Sequence, residues 1–548
     1  MIDLSPQDLT TIKRILARFV AKCDVWAFGS RATWNAKSYS DLDLVVVCED
    51  KVPRRILSQL KNEFAEAPLP FRIDVLDWHR VSFEFRENIK KHCERIQSPR
   101  EETTLPHGWS VRKISEIADV IGGGTPKTDK AEYWGGDIPW ITPKDLSREH
   151  PRYVANGERS ITQKGLNNSS ARMLPPKTVL LTSRAPVGYV ALAGKSVATN
   201  QGLRNLVVRD GYDPEFIYYL LLQNTDYLKQ HAAGSTFQEL SGTTLKSLEF
   251  LIPPLNEQRA IAHILGSLDD KIELNREMNQ TLEQMAQAIF KSWFIDFDPV
   301  VYNALQAGNP IPERFAETAA RYREKPDVQT LPQDILDLFP DRFEESELGE
   351  MPAGWEPSTV GAIFDITMVQ SPPSSTYNEN LEGPPFFQGR RDFGFRYPNP
   401  RVYCSVPKRI ATQGDTLISV QAPVGDLNMA FEECCIGRGV TTLRHKQGFL
   451  SFIYYCLQTL TKYFCSYEGE GTVFGSINKK QISNLPCIIP PVRIIEKFEQ
   501  YVEPINEKIR SNVSEMVTLA EIRDTLLPKL VSGEVTISDA EKIVENAE

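Results

Sequence analysis

The sequence predicts a multidomain α+β chain: a small α/β domain, then two copies of an α+β globule, each trailed by a long helix. Three observations predict it. Most of the chain is written twice, heptad spacing recurs at one register in both copies, and the first hundred residues have no second copy. Phe216-Ile217-Tyr218-Tyr219 returns as Phe452-Ile453-Tyr454-Tyr455, and Ala185-Pro186-Val187-Gly188 as Ala422-Pro423-Val424-Gly425. Ile252-Pro253-Pro254-Leu255 returns as Ile489-Pro490-Pro491-Val492, and Leu105-Pro106-His107-Gly108-Trp109 as Met351-Pro352-Ala353-Gly354-Trp355. The offset is about 237 positions for the first three pairs and 246 for the last, far beyond the roughly 20–50 residues of a solenoid repeat. A domain has been duplicated, which implies an internal two-fold and a target with two separated halves.

Composition sets bounds on function. A chain of 548 residues has room for three or four domains. Its formal net charge of −10 argues against wholesale coating of nucleic acid, so any DNA-binding face must be local. No apolar run approaches the ~18 residues of a membrane span, and Asp3 and Asp8 stand where a signal peptide would be apolar. No membrane partner and a cytoplasmic location are therefore expected. Nine cysteines without a C-x-x-C pair read as free thiols in a reducing compartment, with no zinc site.

In chain order, residues 1–100 form the small α/β domain. Leu9, Ile12, Ile15, Leu16 and Phe19 have helical spacing. Val25 to Phe28 reads as a strand ending in Gly29-Ser30, Leu42 to Val47 as a second strand, and Phe71 to Leu76 as a third. Residues 105–254 are short β-prone runs punctuated by Gly, Pro and Asn, then a helical stretch near 214–230; residues 346–491 repeat the pattern. A Pro-Pro pair follows each globule and opens a long helix, over 255–297 and 492–531. In the first helix the seam is Ile261, Leu265, Leu268, Ile272, Asn275, Asn279, Leu282 and Ile289. In the second it is Phe498, Val502, Ile505, Ile509, Asn512, Met516 and Leu519. Both keep an asparagine at one place (Asn275 and Asn512), the kind of seam residue that lowers stability but sets register. Matched registers favour the two helices pairing with each other as a coiled coil. About 40 residues of helix span about 60 Å. Residues 298–345 read as a Pro-, Glu- and Arg-rich linker, and 532–548 as a C-terminal tail.

Several segments, in this order, resemble the specificity subunit of type I restriction–modification enzymes. They are Pro253-Pro254-Leu255-Asn256-Glu257-Gln258-Arg259-Ala260-Ile261, Trp293-Phe294-Ile295-Asp296-Phe297-Asp298-Pro299-Val300, Leu338-Phe339-Pro340-Asp341, and Leu526-Leu527-Pro528-Lys529-Leu530 before Ser532-Gly533-Glu534. The resemblance covers roughly residues 105–535. It implies two target-recognition domains separated by an antiparallel pair of helices, reading a bipartite double-stranded DNA sequence. It also implies partners: methylase subunits, two of them, docked on the helices, and motor/endonuclease subunits. The specificity part then needs no cofactor and does no chemistry itself. The second copy departs from the pattern where Ile494-Ile495 replace Glu257-Gln258.

Basic residues mark the candidate DNA surfaces. The second copy carries Arg390, Arg391, Arg396, Arg401, Lys408 and Arg409 between aromatic residues; the first has a weaker set, Lys144, Arg148, Arg152 and Arg184. Arginine can grip phosphate or fork onto guanine. The bland alternative is a solvated basic face.

The first hundred residues carry a different pattern. Gly29-Ser30-Arg31 follows a strand, Asp41 and Asp43 lie two apart on the next, and Asp74 sits between Ile73 and Val75. Carboxylates at i and i+2 share a strand face and can hold Mg²⁺ against a triphosphate. A Gly-Ser turn lets backbone N–H groups approach phosphate oxygens. The pattern resembles the nucleotidyltransferase superfamily in minimal form, although Trp34 stands where glycine is frequent. The resemblance implies Asp41, Asp43 and Asp74 as catalytic metal ligands, Gly29, Ser30 and Arg31 as nucleotide-binding, and Mg²⁺ with a nucleoside triphosphate as cofactors. The alternatives are a docking module that has lost activity, or a chain that is first a nucleotidyltransferase, antitoxin-like or regulatory, using the duplicated domains for targeting.

Overall fold

The computed structural model describes residues 4, 6–32, 40–48, 50–67, 69–98, 106–147, 151–233, 238–324, 331–368, 370–421, 423–466 and 475–546. The chain divides into two compact units, Met1–Arg259 and Ala260–Glu548. Among the described residues no helix is long and apolar enough to cross a membrane.

The N-terminal domain contains α1 (Pro6–Phe19), β1 (Asp24–Phe28), β2 (Leu42–Val47), α2 (Arg54–Glu66), β3 (Ile73–Asp77), α3 (Phe83–Lys91) and β4 (Glu94–Gln97). Its sheet runs β3-β2-β1-β4, with only β2 and β3 parallel. Ile12, Ile15 and Leu16 of α1 bury one helical face against Val25, Ala27, Leu42, Leu44 and Val75. β4 was not legible: its Glu-Arg-Ile-Gln sequence has one apolar residue, and pairing with β1 makes it a strand. The register Asp24↔Val47 sets Cys23 opposite Cys48, and the two form a disulfide with Cα atoms 4.5 Å apart. The expectation of nine free thiols is corrected there, because a separation of 25 residues in sequence does not announce a cross-strand pair. Cys404, Cys434, Cys435, Cys456 and Cys487 are free and buried.

The duplication is visible in the sheets. The first globule has β5 (Ser110–Lys113), β6 (Ala118–Gly122), β7 (Trp134–Ile141), β8 (Tyr153–Val154), β9 (Arg159–Ile161), β10 (Val179–Thr182), β11 (Val190–Ala193), β12 (Ala198–Thr199), β13 (Leu203–Val208) and β14 (Glu249–Ile252). Its main sheet runs β6-β13-β10-β11-β8. In the second globule Phe364–Thr367, Val440–His445, Thr416–Ser419 and Leu427–Met429 follow in the same order. The repeated Pro-Val-Gly is one turn built twice. Thr182 Oγ1 donates to the Pro186 carbonyl at 2.7 Å and accepts from Tyr189 N at 2.9 Å. Ser419 Oγ does the same with Pro423 at 2.8 Å and Asp426 N at 3.0 Å. Gly188 and Gly425 close these turns at φ of 107° and 94°, where a side chain would be strained.

The first long helix spans Leu255–Phe294 and the second Val492–Ser532. They pack antiparallel, since partners rise along one as they fall along the other. Asp269 accepts from Arg523 at 2.7 Å, Asn275 Nδ2 donates to Glu515 at 2.9 Å, Asn512 Nδ2 donates to Asn279 at 2.9 Å, and Phe290 meets Phe498 at 5.5 Å between ring centroids. Asn275 and Asn512 are both buried, yet each pairs with a residue other than its duplicate. Such seam bonds are each worth about 1 kcal/mol net, so they select register more than they stabilise.

The described part of the span read as a linker is folded. Helices Asp298–Ala307 and Ala316–Glu324 bury Val300, Val301, Ala319 and Tyr322 in the core of the second unit, with Phe315, Ile335 and Phe339. Its apolar residues are scattered among charges and show no long period, so the burial was not legible. The tail contains a helix, Ile537–Glu545, set off from the long helix by Gly533 at φ 74°.

Candidate functional site

The carboxylates of the N-terminal domain come from adjacent strands. Asp43 lies opposite Phe28 on β1 and beside Asp74 on β3, and Asp41 precedes it by two. Alternation turns these residues away from Leu42 and Leu44, which are in the core. Asp41 and Asp74 are exposed, and Asp43 is half-buried. Burial, then the charges of Asp74 and Asp41, raise the Asp43 carboxyl above the ordinary value. Gly29, at φ 81°, brings its backbone so close that a Cβ there would stand 2.6 Å from Asp43 Oδ2. Crowded negative charge with a side-chain-free turn against it could hold a cation and a phosphate. The carboxylates are nonetheless not drawn into a ligand cage: among the described residues no three His, Cys, Asp or Glu side chains stand close enough together to hold a metal ion. A cleft of about 380 Å³ beside Gly29 is lined by Phe28, Phe85, Asn88, Ile89 and His92.

Arg31 is placed differently from its expected role. It is buried, with Nε donating to the Ser40 carbonyl at 2.9 Å and its guanidinium 4.0 Å from the Phe71 ring centroid. It ties residue 31 to residue 40. Trp34 lies outside the described residues.

The basic candidates of the globules divide into exposed and inward-facing sets. Arg391, Lys408 and Arg409 are exposed and enter no ion pair among the described residues. Arg390 pairs with Asp426, Arg401 with Asp392 at 3.3 Å, and Lys144 with Glu158 at 2.8 Å, all with exposed heads. Arg184 is half-buried and bridges to Glu239 through the backbone. Arg148 lies outside the described residues.

Two expected DNA contacts are corrected. Arg152 pairs with Glu215 at 2.6 Å, with only 11% of its side chain exposed. Arg396 is 1% exposed and cannot reach DNA. It donates to Glu283 of the first long helix, to Tyr455 Oη at 2.8 Å, and to Asn506 of the second helix at 2.8 Å. Its guanidinium lies 4.0 Å from the Tyr454 centroid, and its Nε has no acceptor among the described residues. Burial works against its charge, but Tyr454, Tyr455 and Glu283 more than offset this and raise its pKa above the ordinary value. The same burial pushes the Tyr454 hydroxyl up to about 12. The partners were missed because they lie 113, 59 and 110 residues away. The repeated Tyr-Tyr was the available signal.

The role of Glu257-Gln258 is also on view. Glu257 accepts from Trp109 Nε1 at 2.9 Å; Gln258 accepts from Asp213 N at 2.9 Å and donates to the Pro253 carbonyl at 2.8 Å. They fasten the first globule to the start of its helix.

Two globules of one sheet order, a paired helical seam and a four-stranded domain with clustered acids define a duplicated α+β chain with an appended small α/β domain. The chain belongs to the family described as "Type I restriction modification DNA specificity domain", matched over residues 106–284 and 352–515, and residues 10–102 match "Polymerase beta, Nucleotidyltransferase". It is similar to the type I restriction enzyme MjaIX specificity subunit of Methanocaldococcus jannaschii, 34% identical over 79% of this chain and 95% of that one. The HindI specificity subunit of Haemophilus influenzae is 30% identical over 59% of this chain and 77% of its own length. The probable protein adenylyltransferase MntA of Haemophilus influenzae is 40% identical over 19% of this chain and 92% of its own.

Proposed function

We propose that this chain selects the DNA sequence for a type I restriction–modification complex, each globule reading one half of a bipartite site. The observation that carries the reading is one sheet order built twice, with paired long helices following the globules. Methylase subunits, two per chain, would dock along the helices, and motor/endonuclease subunits would join them in the cytoplasm. Arg391, Lys408 and Arg409 are the best-placed groups for phosphate or guanine in the second half-site. Lys144, Arg390 and Arg401 would reach DNA by exchanging their present partners, and Arg184 would reach it from its half-buried place. Host methylomes with and without this gene test the reading: adenine methylation at a two-part motif should vanish on deletion. An unchanged methylome overturns it.

The appended domain supports transfer of AMP from ATP to a protein hydroxyl. Gly29 and Ser30 would receive the triphosphate through backbone N–H groups, and Asp41 and Asp43 would hold Mg²⁺, with Asp74 completing the site as the base. The ion supplies charge neutralisation on the triphosphate and on the departing pyrophosphate. The acceptor oxygen attacks the α-phosphorus, the bond to the β-phosphate oxygen breaks, and pyrophosphate leaves. Asp74, exposed beside Asp43, takes up the hydroxyl proton. The test is label transfer from ATP labelled at the α-phosphate to the assembled complex, expected with Mg²⁺ and lost in Asp41→Ala/Asp43→Ala. Equal labelling of that variant defeats the assignment.

A further inference from the structure

Arg152 and Arg396 are one residue, duplicated. The carbonyl of Arg152 accepts from Leu192 N at 2.7 Å, and that of Arg396 accepts from Met429 N at 2.9 Å; Leu192 and Met429 are themselves repeat partners. Both guanidinium groups lie against the second tyrosine of the repeated pair, 5.7 Å from the Tyr219 centroid and 5.2 Å from the Tyr455 centroid. The copies part at the next position inward. The first has Glu215, which pairs with Arg152 inside the globule. The second has Ser451 at that place, so the arginine finds no acid on helix Leu450–Thr459 and takes Glu283 from the first long helix. The rest of the cluster joins the same elements. Glu283 Oε1 accepts from Gln458 at 3.2 Å and Gln287 at 3.0 Å, and Asn506 Nδ2 donates to Ser451 Oγ at 2.9 Å.

From this geometry we infer that Arg396, with Glu283 and Asn506, is the pin that sets the orientation of the second recognition domain on the helical pair, and so the half-site spacing the complex accepts. The inference rests on the bipartite-reading assignment. A planar guanidinium with three fixed acceptors on three elements allows one docking angle. An apolar contact of equal volume would allow a range, because dispersion is non-directional. A buried ion pair is weak evidence for stability and better attested as a device for register. Arg396 is thus a positioning residue and touches no DNA.

The test separates stability from spacing. The full chain is assembled with its methylase subunits and bound to duplexes carrying both half-sites, with the spacer varied one base pair at a time. Wild type should favour one spacer by about tenfold or more. Arg396→Met, which strands Glu283, should lower thermal stability and flatten the spacer preference several-fold. The paired substitution Arg396→Met with Glu283→Met should restore stability, as apolar replacements of buried pairs do, yet keep the flattened preference and unchanged base preference in the first half-site. If it restores the spacer preference along with stability, or if either variant keeps the wild-type preference, the pin is overturned. If wild type shows no bipartite preference at all, the underlying assignment fails instead.

Discussion

The two globules share a sheet order and a turn, yet each meets the start of its long helix with different chemistry. In the first, Glu257 and Gln258 take the Trp109 N–H and the Asp213 N–H, and Asp213 caps helix Pro214–Gln223. In the second, Ile494 and Ile495 are buried in the apolar core, and Trp355 Nε1 has no partner among the described residues. Helix Leu450–Thr459 begins at Phe449, which offers no capping side chain. Glu499, one turn along the long helix where the first copy has Ala262, takes over. Its carboxylate accepts from Ser451 N at 3.3 Å, Ser451 Oγ at 2.7 Å and Phe452 N at 2.7 Å. One fold thus tolerates two polar solutions, because the requirement is that the helix start be satisfied, whichever side chain does it.

The comparison breaks hardest at the duplicated arginine. Arg396→Met should destabilise the second unit by about 3–5 kcal/mol, the effect of stranding one member of a buried pair. Arg152→Met should lower first-unit stability by about 1–2 kcal/mol, since Glu215 keeps its Lys177 partner at 2.9 Å. Denaturant titration followed by hydrogen exchange reads the two units separately; equal losses would erase the distinction. Next come the tryptophans. Trp109→Phe should lose about 1.5 kcal/mol more than Trp355→Phe, because only Trp109 donates to a carboxylate.

The cap of the second copy responds to pH. Burial raises the Glu499 carboxyl above its ordinary value, against the pull of the Phe452 and Ser451 donors. Its folded pKa exceeds the unfolded one, so its contribution is fully present below the ordinary glutamate value and is lost as pH rises through the raised value. Melting of the second unit should therefore rise on acidification from neutrality towards that range. Glu499→Gln should flatten the slope. Smallest and most even are the turn hydroxyls: Thr182→Ala and Ser419→Ala should each lose about 1 kcal/mol. A large inequality there would mean the repeated turn carries different loads in the two copies.

Much of this architecture could be read from the chain. Heptad spacing predicted both long helices, since periodicity is local and survives without knowledge of a partner. Asp41 and Asp43 were readable as a pair from strand alternation, whereas only the β2–β3 pairing set Asp74 beside Asp43. The basic run after Phe386 was readable as charge, but not as direction: Arg391 points to solvent and Arg396 into the core. Composition is identical for the two, and only packing decides which is desolvated.

The sequence by itself determined the duplication, the helical seam, the acid pattern of the first domain and the family, all properties of local order and internal comparison. The tertiary structure decided partners: Cys23 with Cys48, Asn512 with Asn279, and Arg396 with Glu283 and Asn506. Those pairings rest on contacts between distant segments, where burial makes a lone polar group so unfavourable that each must find a specific mate. No spacing rule along the chain can name that mate.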